Sequence, residues 1–170
     1  MSLAVPKRTV RVELRVHDGP LLLGDLFLDE ASALHTGPQT LSEYLAQPEA
    51  FIPLRLAAEA PAKGELLFLA KSSIARFRVR DDDEAGPVPW DEMPLLPADE
   101  ADAPPEVRVR IEMRGGDLIE GEMVGALPPE HRRLIDYLNQ RGAFLALRQG
   151  DDIHIVNKAF VASARPGTRT

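Results

Sequence analysis

The chain has 170 residues, a formal net charge of −7 and no cysteine. The missing cysteine excludes disulfides, thiol catalysis and cysteine-based zinc sites. The sequence has no apolar run long enough for a signal peptide or a transmembrane helix, so we expect a cytoplasmic protein with no membrane partner. The acidity is concentrated in residues 81–106, which hold ten acidic residues and six prolines but no Lys or Arg. The rest of the chain carries 17 acidic and 20 basic residues, so it is close to neutral.

The sequence contains one unit twice. Residues 10–26 (VRVELRVHDGPLLLGDL) match residues 107–123 (VRVRIEMRGGDLIEGEM) at an offset of 97. The match continues at an offset of 93 through a helix-like segment and a short strand, and at 87 through a closing hairpin. The offset falls along the chain because the first copy contains insertions. We expect these insertions in surface loops, where added residues cost little conformational entropy. Three matching blocks in one order indicate a tandem duplication.

Each copy begins with a predicted hairpin. Apolar and charged residues alternate at 10–15 and again in the second copy, which predicts a strand with one buried face. Turn residues around Gly19 and around its counterpart predict that a second antiparallel strand follows directly. Gly24 and Gly121 lie inside that second strand, where a glycine is typical of a sharp bend.

A short helix and three further strands complete the predicted unit. Thr40 and Glu43 have the spacing of a capping box in the first copy. In the second copy, residues 131–140 carry an apolar face and follow two prolines suited to a helix start. Strands at 51–56 and 144–148 and a closing hairpin then give the order β-β-α-β-β-β in both copies. Lys71 and Lys158 fall in the turn of that hairpin, where we expect solvated side chains.

The predicted fold is mainly β with short helices. It consists of two tandem small five-stranded barrels. The first unit covers residues 8–80, an acidic proline-rich linker covers 81–105, and the second unit covers 106–167.

One motif resembles the first motif of the Sm-like small barrels, which belong to the SH3-like barrels. Its positions are Leu14, Gly19, Leu21, Gly24 and Leu26, and again Ile111, Gly116, Leu118, Gly121 and Met123. The resemblance implies two Sm-like or SH3-like barrels and is consistent with a bacterial family of such proteins. Sm-like proteins usually place an Asp and an Asn in the third strand for RNA contact and an Ile-Arg-Gly near the end, and this chain has neither. The resemblance therefore implies a fold and carries over no RNA-binding residue.

The sequence has no pattern typical of catalysis or metal binding. The four histidines are scattered over loops, a helix and a strand, whereas metal sites need clustered ligands. The serines have no nucleophile elbow around them, and paired carboxylates are abundant only in the linker. We therefore expect no enzymatic activity, no metal ion and no cofactor.

The leading hypothesis is a non-catalytic binding or scaffolding protein that acts through protein–protein contacts, including self-association. The linker contains apolar residues among prolines and acids: Trp90, Met93, Leu95 and Leu96. Such a segment is typical of motifs that dock on a partner, and it can equally pack across its own two barrels.

Two alternatives remain open at this point. The first is RNA binding through a basic face of the second barrel, formed by Arg132, Arg133, Arg141 and Arg148. Arg148 and its counterpart Arg55 end the third strand of each unit, so they are also candidates for holding a protein partner or a local ion pair. The second alternative is a small ligand in the cleft between the barrels, because pockets often occur at such interfaces.

Overall fold

The computed structural model of the chain describes residues 6–32, 37–57, 64–80, 107–125, 127 and 133–167. Ten strands, two short α-helices and 3₁₀ turns at Lys71–Ser73 and Lys158–Phe160 form the described structure. The first half contains β1 (Lys7–Val16), β2 (Leu21–Asp29), α1 (Leu41–Ala46), β3 (Phe51–Leu56), β4 (Leu66–Ala70) and β5 (Ile74–Arg80). The second half contains β6 (Arg108–Met113), β7 (Leu118–Met123), α2 (Leu134–Leu138), β8 (Phe144–Gln149), β9 (Asp152–Asn157) and β10 (Val161–Pro166).

All ten strands belong to one antiparallel sheet, in the order β10-β6-β7-β8-β9-β5-β1-β2-β3-β4. The mainly β class with short helices is confirmed. The described strands form one open sheet and do not show two separately closed barrels. The physical reason is that β5 pairs on one side with β1 of its own half and on the other side with β9 of the second half.

The two halves share strand order and pairing register. Val12 lies opposite Gly24 in the first hairpin, and Val109 lies opposite Gly121 in its counterpart. The pairing between the first and the last strand of each unit also has a register shift at the same place in both halves. The shift falls next to the pair Val16 and Ile74 in the first half, and next to the pair Met113 and Val161 in the second half. The duplication in the sequence is therefore a duplication of structure.

Gly24 and Gly121 allow two strands to approach closely. A Cβ atom on Gly24 would lie 2.5 Å from the carbonyl oxygen of Arg55 and 2.9 Å from the Leu54 side chain. A Cβ atom on Gly121 would lie 2.5 Å from the carbonyl oxygen of Arg148. A real Cβ atom cannot approach a backbone oxygen so closely, so both positions need glycine where β2 and β7 meet the next strand.

The capping box predicted for the first helix is confirmed. The Thr40 hydroxyl accepts from the Glu43 backbone N–H at 3.1 Å, and the Glu43 carboxylate accepts from the Thr40 N–H at 2.7 Å. These bonds satisfy two backbone donors that a helix start otherwise leaves unpaired. In the second copy, the Asp136 carboxylate accepts from the Arg133 N–H at 3.0 Å at the start of α2.

The prediction that Lys71 and Lys158 are merely solvated turn residues is wrong. The Lys71 ammonium donates to the carbonyl oxygens of Leu45 (3.2 Å) and Gln47 (2.7 Å) at the end of α1. Lys158 donates in the same way to the Gln140 carbonyl after α2. Lys71 thus satisfies carbonyl groups that a helix end leaves unpaired, and each lysine ties the chain at the end of its helix to the closing hairpin.

The hydrophobic core has two clusters, and the first of them crosses the junction between the halves. It contains the buried apolar residues of β1, β2, β3 and α1, three residues of β5 (Ile74, Phe77 and Val79), and Ala146, Ile153 and Ile155 of the second half. The rings of Phe77 and Phe144 also meet across the junction, with centroids 5.9 Å apart. The second cluster lies mainly within the second half. The two units therefore depend on each other for burial, as small units tend to do.

We predict that Gly24→Ala lowers the free energy of unfolding by about 1–3 kcal/mol, the usual cost of forcing an extra methyl group into a packed site. Denaturant unfolding would measure the loss. Gly115→Ala is the matched control, because nothing lies within 4 Å of the position of its added Cβ atom. Equal stability of the Gly24→Ala variant and the control variant would contradict the close-approach explanation.

Candidate functional site

An apolar face is exposed at one end of the sheet. Leu66 and Phe68 project from β4, and Phe51 projects on the same side from the adjacent strand β3. Their exposed fractions are 46% for Leu66, 67% for Phe68 and 59% for Phe51. We call these three residues the open apolar face. Clustered large apolar side chains on a surface mark an interaction site more often than isolated ones do.

Two of the three residues of the open apolar face, Leu66 and Phe68, lie on an edge strand. β4 is the last strand in the sheet order, so the backbone groups on its outer side have no neighbouring strand in the described sheet. An exposed edge strand is a template for pairing with another chain, and proteins usually protect it with charges or by covering it. β4 has the sequence Leu-Leu-Phe-Leu-Ala and carries no charged residue. It therefore lacks the charged side chains that usually protect an edge strand.

The counterparts of the open apolar face in the second half are covered. Ile153 and Ile155 correspond to Leu66 and Phe68, and they are 3% and 0% exposed. Strand β5 of the first half covers them, because Phe77 pairs with Ile155 and Val79 pairs with Ile153. The same position in the repeat is thus buried in one copy and exposed in the other.

A second feature is a cleft of about 310 Å³ between the two halves. The β1–β2 turn and the β6–β7 turn line it, together with residues of β5 and the second 3₁₀ turn. The rings of His17 and Phe160 meet across it with centroids 4.3 Å apart. Arg15 approaches Asp117 of the other half, with Nε 3.8 Å from the carboxylate. The cleft therefore joins the halves through a ring contact and a long ion pair.

The arginines proposed for RNA lie in different parts of the second half. Arg132 lies outside the described residues, whereas Arg133 and Arg141 are exposed on either side of α2. Arg148 is exposed on β8, where it pairs in register with Glu122 of β7. It lines a shallow depression beside Arg108, whose guanidinium forms an ion pair with Glu122 at 3.0 Å. Acidic side chains thus accompany the basic ones around Arg148.

Arg55, the counterpart of Arg148, makes a different contact. Its guanidinium carbon lies 4.6 Å from the centroid of the Phe27 ring, a distance suited to a cation–π interaction. Arg55 also pairs in register with Asp25 of β2. Trp90, Met93, Leu95 and Leu96, the residues proposed for linker docking, lie outside the described residues.

His154 is a buried histidine at the junction between the halves. It lies on β9, opposite Arg78 of β5, and only 5% of its surface is exposed. Neither ring nitrogen has a hydrogen-bond partner among the described residues. Burial, assisted by the positive charge of Arg76, lowers the pKa of His154 to about 4, so the ring is neutral near pH 7. Its counterpart in the first copy is an apolar residue, Leu67.

Within the described ranges, no group of three or more His, Asp or Glu side chains is placed to hold a metal ion. The same part of the chain contains no helix long and apolar enough to cross a membrane. Comparison of the chain with protein-family models, with curated proteins and with solved structures gave no match.

The sequence reasoning missed the open apolar face, although a signal for it was present. Residues 66–70 are apolar on both faces of the strand, a pattern typical of strands buried on both sides. Their position in the repeat matches residues 153–157. Without the strand order, however, nothing in the sequence shows that one of these two strands is paired on both sides and the other on one side only.

We predict that protonation of His154 destabilises the fold in acid. Because the folded-state pKa lies below the ordinary value of 6.5, the neutral ring is favoured by folding. Stability is retained above pH 6.5 and is lost as the pH falls from 6.5 towards 4. Unfolding free energies measured across this range should fall more steeply for the natural protein than for His154→Leu, which places the residue of the first copy here. Parallel pH profiles for the two proteins would show that His154 does not cause the loss.

Proposed function

We propose that the protein is a non-catalytic cytoplasmic binding or scaffolding protein, and that it binds protein partners through the open apolar face. The observation that carries the proposal is the exposure of Leu66 and Phe68 on β4, whose outer edge has no neighbouring strand in the described sheet, together with the exposure of Phe51 on the adjacent strand β3. Such an edge offers main-chain hydrogen bonds for affinity, and the apolar side chains beside it offer specificity.

The junction between the two halves supports this mode of binding. There, β5 adds to the edge of β9 and covers Ile153 and Ile155. Within one chain, the fold thus already contains a strand that binds the equivalent edge. The open apolar face offers the same type of surface to a second strand.

We also propose that the two halves are divergent Sm-like small barrels. The proposal rests on the motif repeated around Gly24 and Gly121 and on the order of five strands common to both halves. Two alternative functions stay predictions from the sequence. They are RNA binding through Arg132, Arg133, Arg141 and Arg148, and small-ligand binding in the cleft between the halves.

Photo-crosslinking in living cells tests the proposed function. A photoreactive benzoylphenylalanine in place of Phe68 should give crosslinked protein adducts, because position 68 lies at the centre of the proposed interface. The matched control is the same amino acid in place of Ile135, which is 55% exposed on α2. Gel electrophoresis with nuclease and protease treatment would measure the yield and chemical nature of the adducts.

The proposal requires protein adducts at position 68 in clear excess over position 135. Equal yields at the two positions would contradict it, since any exposed apolar residue would then suffice. Adducts that nuclease alone removes would contradict it as well, and they would favour RNA binding instead.

A further inference from the structure

We infer that the cleft between the two halves binds a small dianion, which the guanidinium groups of Arg15 and Arg76 hold. The ligand class is a small molecule with two negative charges on oxygen atoms, such as a phosphate monoester or a dicarboxylate. Both arginines line the cleft of about 310 Å³, whereas no residue of the open apolar face does. The inference therefore goes beyond the proposed function and does not depend on it.

The two arginines lie side by side. Arg15 of β1 and Arg76 of β5 are directly opposite each other in the antiparallel register. Side chains at such positions project from the same face, with Cβ atoms roughly 5 Å apart, and like charges there destabilise the pairing. The next pair on the same face of these strands, Glu13 and Arg78, has opposite charges instead. Two uncompensated positive charges are thus concentrated at the cleft.

The second copy has a different pair at the same place. The counterparts of Arg15 and Arg76 are Glu112 and Ser163, which also lie opposite each other. The Ser163 hydroxyl donates to the Glu112 carboxylate at 3.1 Å. The repeat therefore contains one version of this position that is satisfied within the sheet and one version that has two cations. This difference indicates a role that only the first copy has.

Neither guanidinium has a close acidic partner. The Nε atom of Arg15 lies 3.8 Å from the Asp117 carboxylate, which is beyond hydrogen-bond distance. This Nε–H group is buried and has no acceptor among the described residues. No carboxylate in the described ranges forms an ion pair with Arg76. Because a buried donor without an acceptor costs free energy, an anionic ligand that supplies acceptor oxygens would be stabilised here.

The chemistry and size of the cleft define the ligand class. A guanidinium group is a planar fork that binds carboxylate or phosphate oxygens in pairs, so two of them match a ligand with two negative charges. The rings of His17 and Phe160 line the cleft beside the arginines, with centroids 4.3 Å apart. The cleft volume lies at the lower end of the range for small-molecule sites.

Acidic side chains at the cleft favour a small ligand over a nucleic acid. Asp18 and Asp117 line it, and their side chains are 85% and 45% exposed. A long polyanion would have to pass these carboxylates, which repel its phosphate groups. A small dianion does not extend beyond the cleft, so it avoids most of this repulsion.

Isothermal titration calorimetry of the purified full-length protein tests the inference. Inorganic phosphate, succinate and a single-stranded RNA oligonucleotide are titrated separately, with sodium chloride of equal ionic strength as the reference, because salt screens exposed charges. We expect saturable binding of phosphate, of succinate or of both. The dianion that binds shows whether the site recognises phosphate or carboxylate groups.

Substitution of Arg76 tests which residues hold the dianion. Arg76→Ser should weaken binding at least about tenfold, because it removes charge-assisted hydrogen bonds. Arg165→Ser is the matched control and should bind like the natural protein. It makes the same change at a side chain that is 71% exposed and does not line the cleft.

A double variant tests the site with little risk to the fold. Arg15→Glu combined with Arg76→Ser reproduces the pair of the second copy, which forms a hydrogen bond in the same register. This variant should keep the unfolding midpoint of the natural protein in chloride and lose detectable dianion binding. The midpoint of the natural protein should rise when the dianion is added, whereas that of the double variant should not.

Nitrogen-15 NMR of the arginine side chains locates the ligand. The Nε–H signals of Arg15 and Arg76 should shift when the dianion is added, and the signal of Arg165 should stay in place. Shifts confined to other arginines would contradict the assigned site.

Three calorimetric results would overturn the inference. They are no binding of either dianion beyond the chloride reference, equal affinities of the Arg76→Ser and Arg165→Ser variants, and binding of the RNA oligonucleotide alone. Photo-crosslinking at position 68 does not involve the cleft, so its outcome tests the proposed function separately.

Discussion

The antiparallel pairing of β5 with β9 is the interaction on which the rest of the structure depends. It joins two five-stranded halves into one sheet and buries Ile153 and Ile155 against the core of the first half. An ion pair between Arg78 and Asp152 lies at its surface, and a hydrogen bond from Asn157 lies inside it. Each half alone would expose part of this apolar surface. The pairing thus explains why units of this size are stable together.

The same pairing makes the two copies unequal. Each half has two edge strands, which are β4 and β5 in the first half and their counterparts β9 and β10 in the second half. The junction pairs one edge strand of each half, β5 with β9. The unused pair, β4 and β10, remains at the two ends of the sheet. Selection for solubility would normally place charges on such an edge, but β4 retains Leu66 and Phe68 on its outer face. This retention supports the proposal that a protein partner binds the edge.

Much of the fold could be predicted from the sequence, because its signals are local. The alternation at 10–15, the Thr40–Glu43 capping box and the turn glycines depend only on neighbouring residues, and the repeat shows the alternation and the turn glycines a second time. The continuous sheet could not be predicted, because the β5–β9 pairing joins residues far apart in sequence and has no local signal. The roles of Lys71 and Lys158 were missed for a similar reason, since the helix-end carbonyl groups that they bind are distant in sequence. The open apolar face follows from strand order, so sequence reasoning could not separate it from an ordinary buried strand.

Hydrogen exchange of the backbone amides tests the central claim most directly. Amides that join β5 to β9 should be strongly protected, because their pairing holds the two halves in one sheet. Amides on the outer side of β4 should exchange faster, because no strand of the described sheet pairs with that edge. Exchange of the β5 and β9 amides that is as fast as exchange on the outer side of β4 would contradict the claim that this pairing joins the halves.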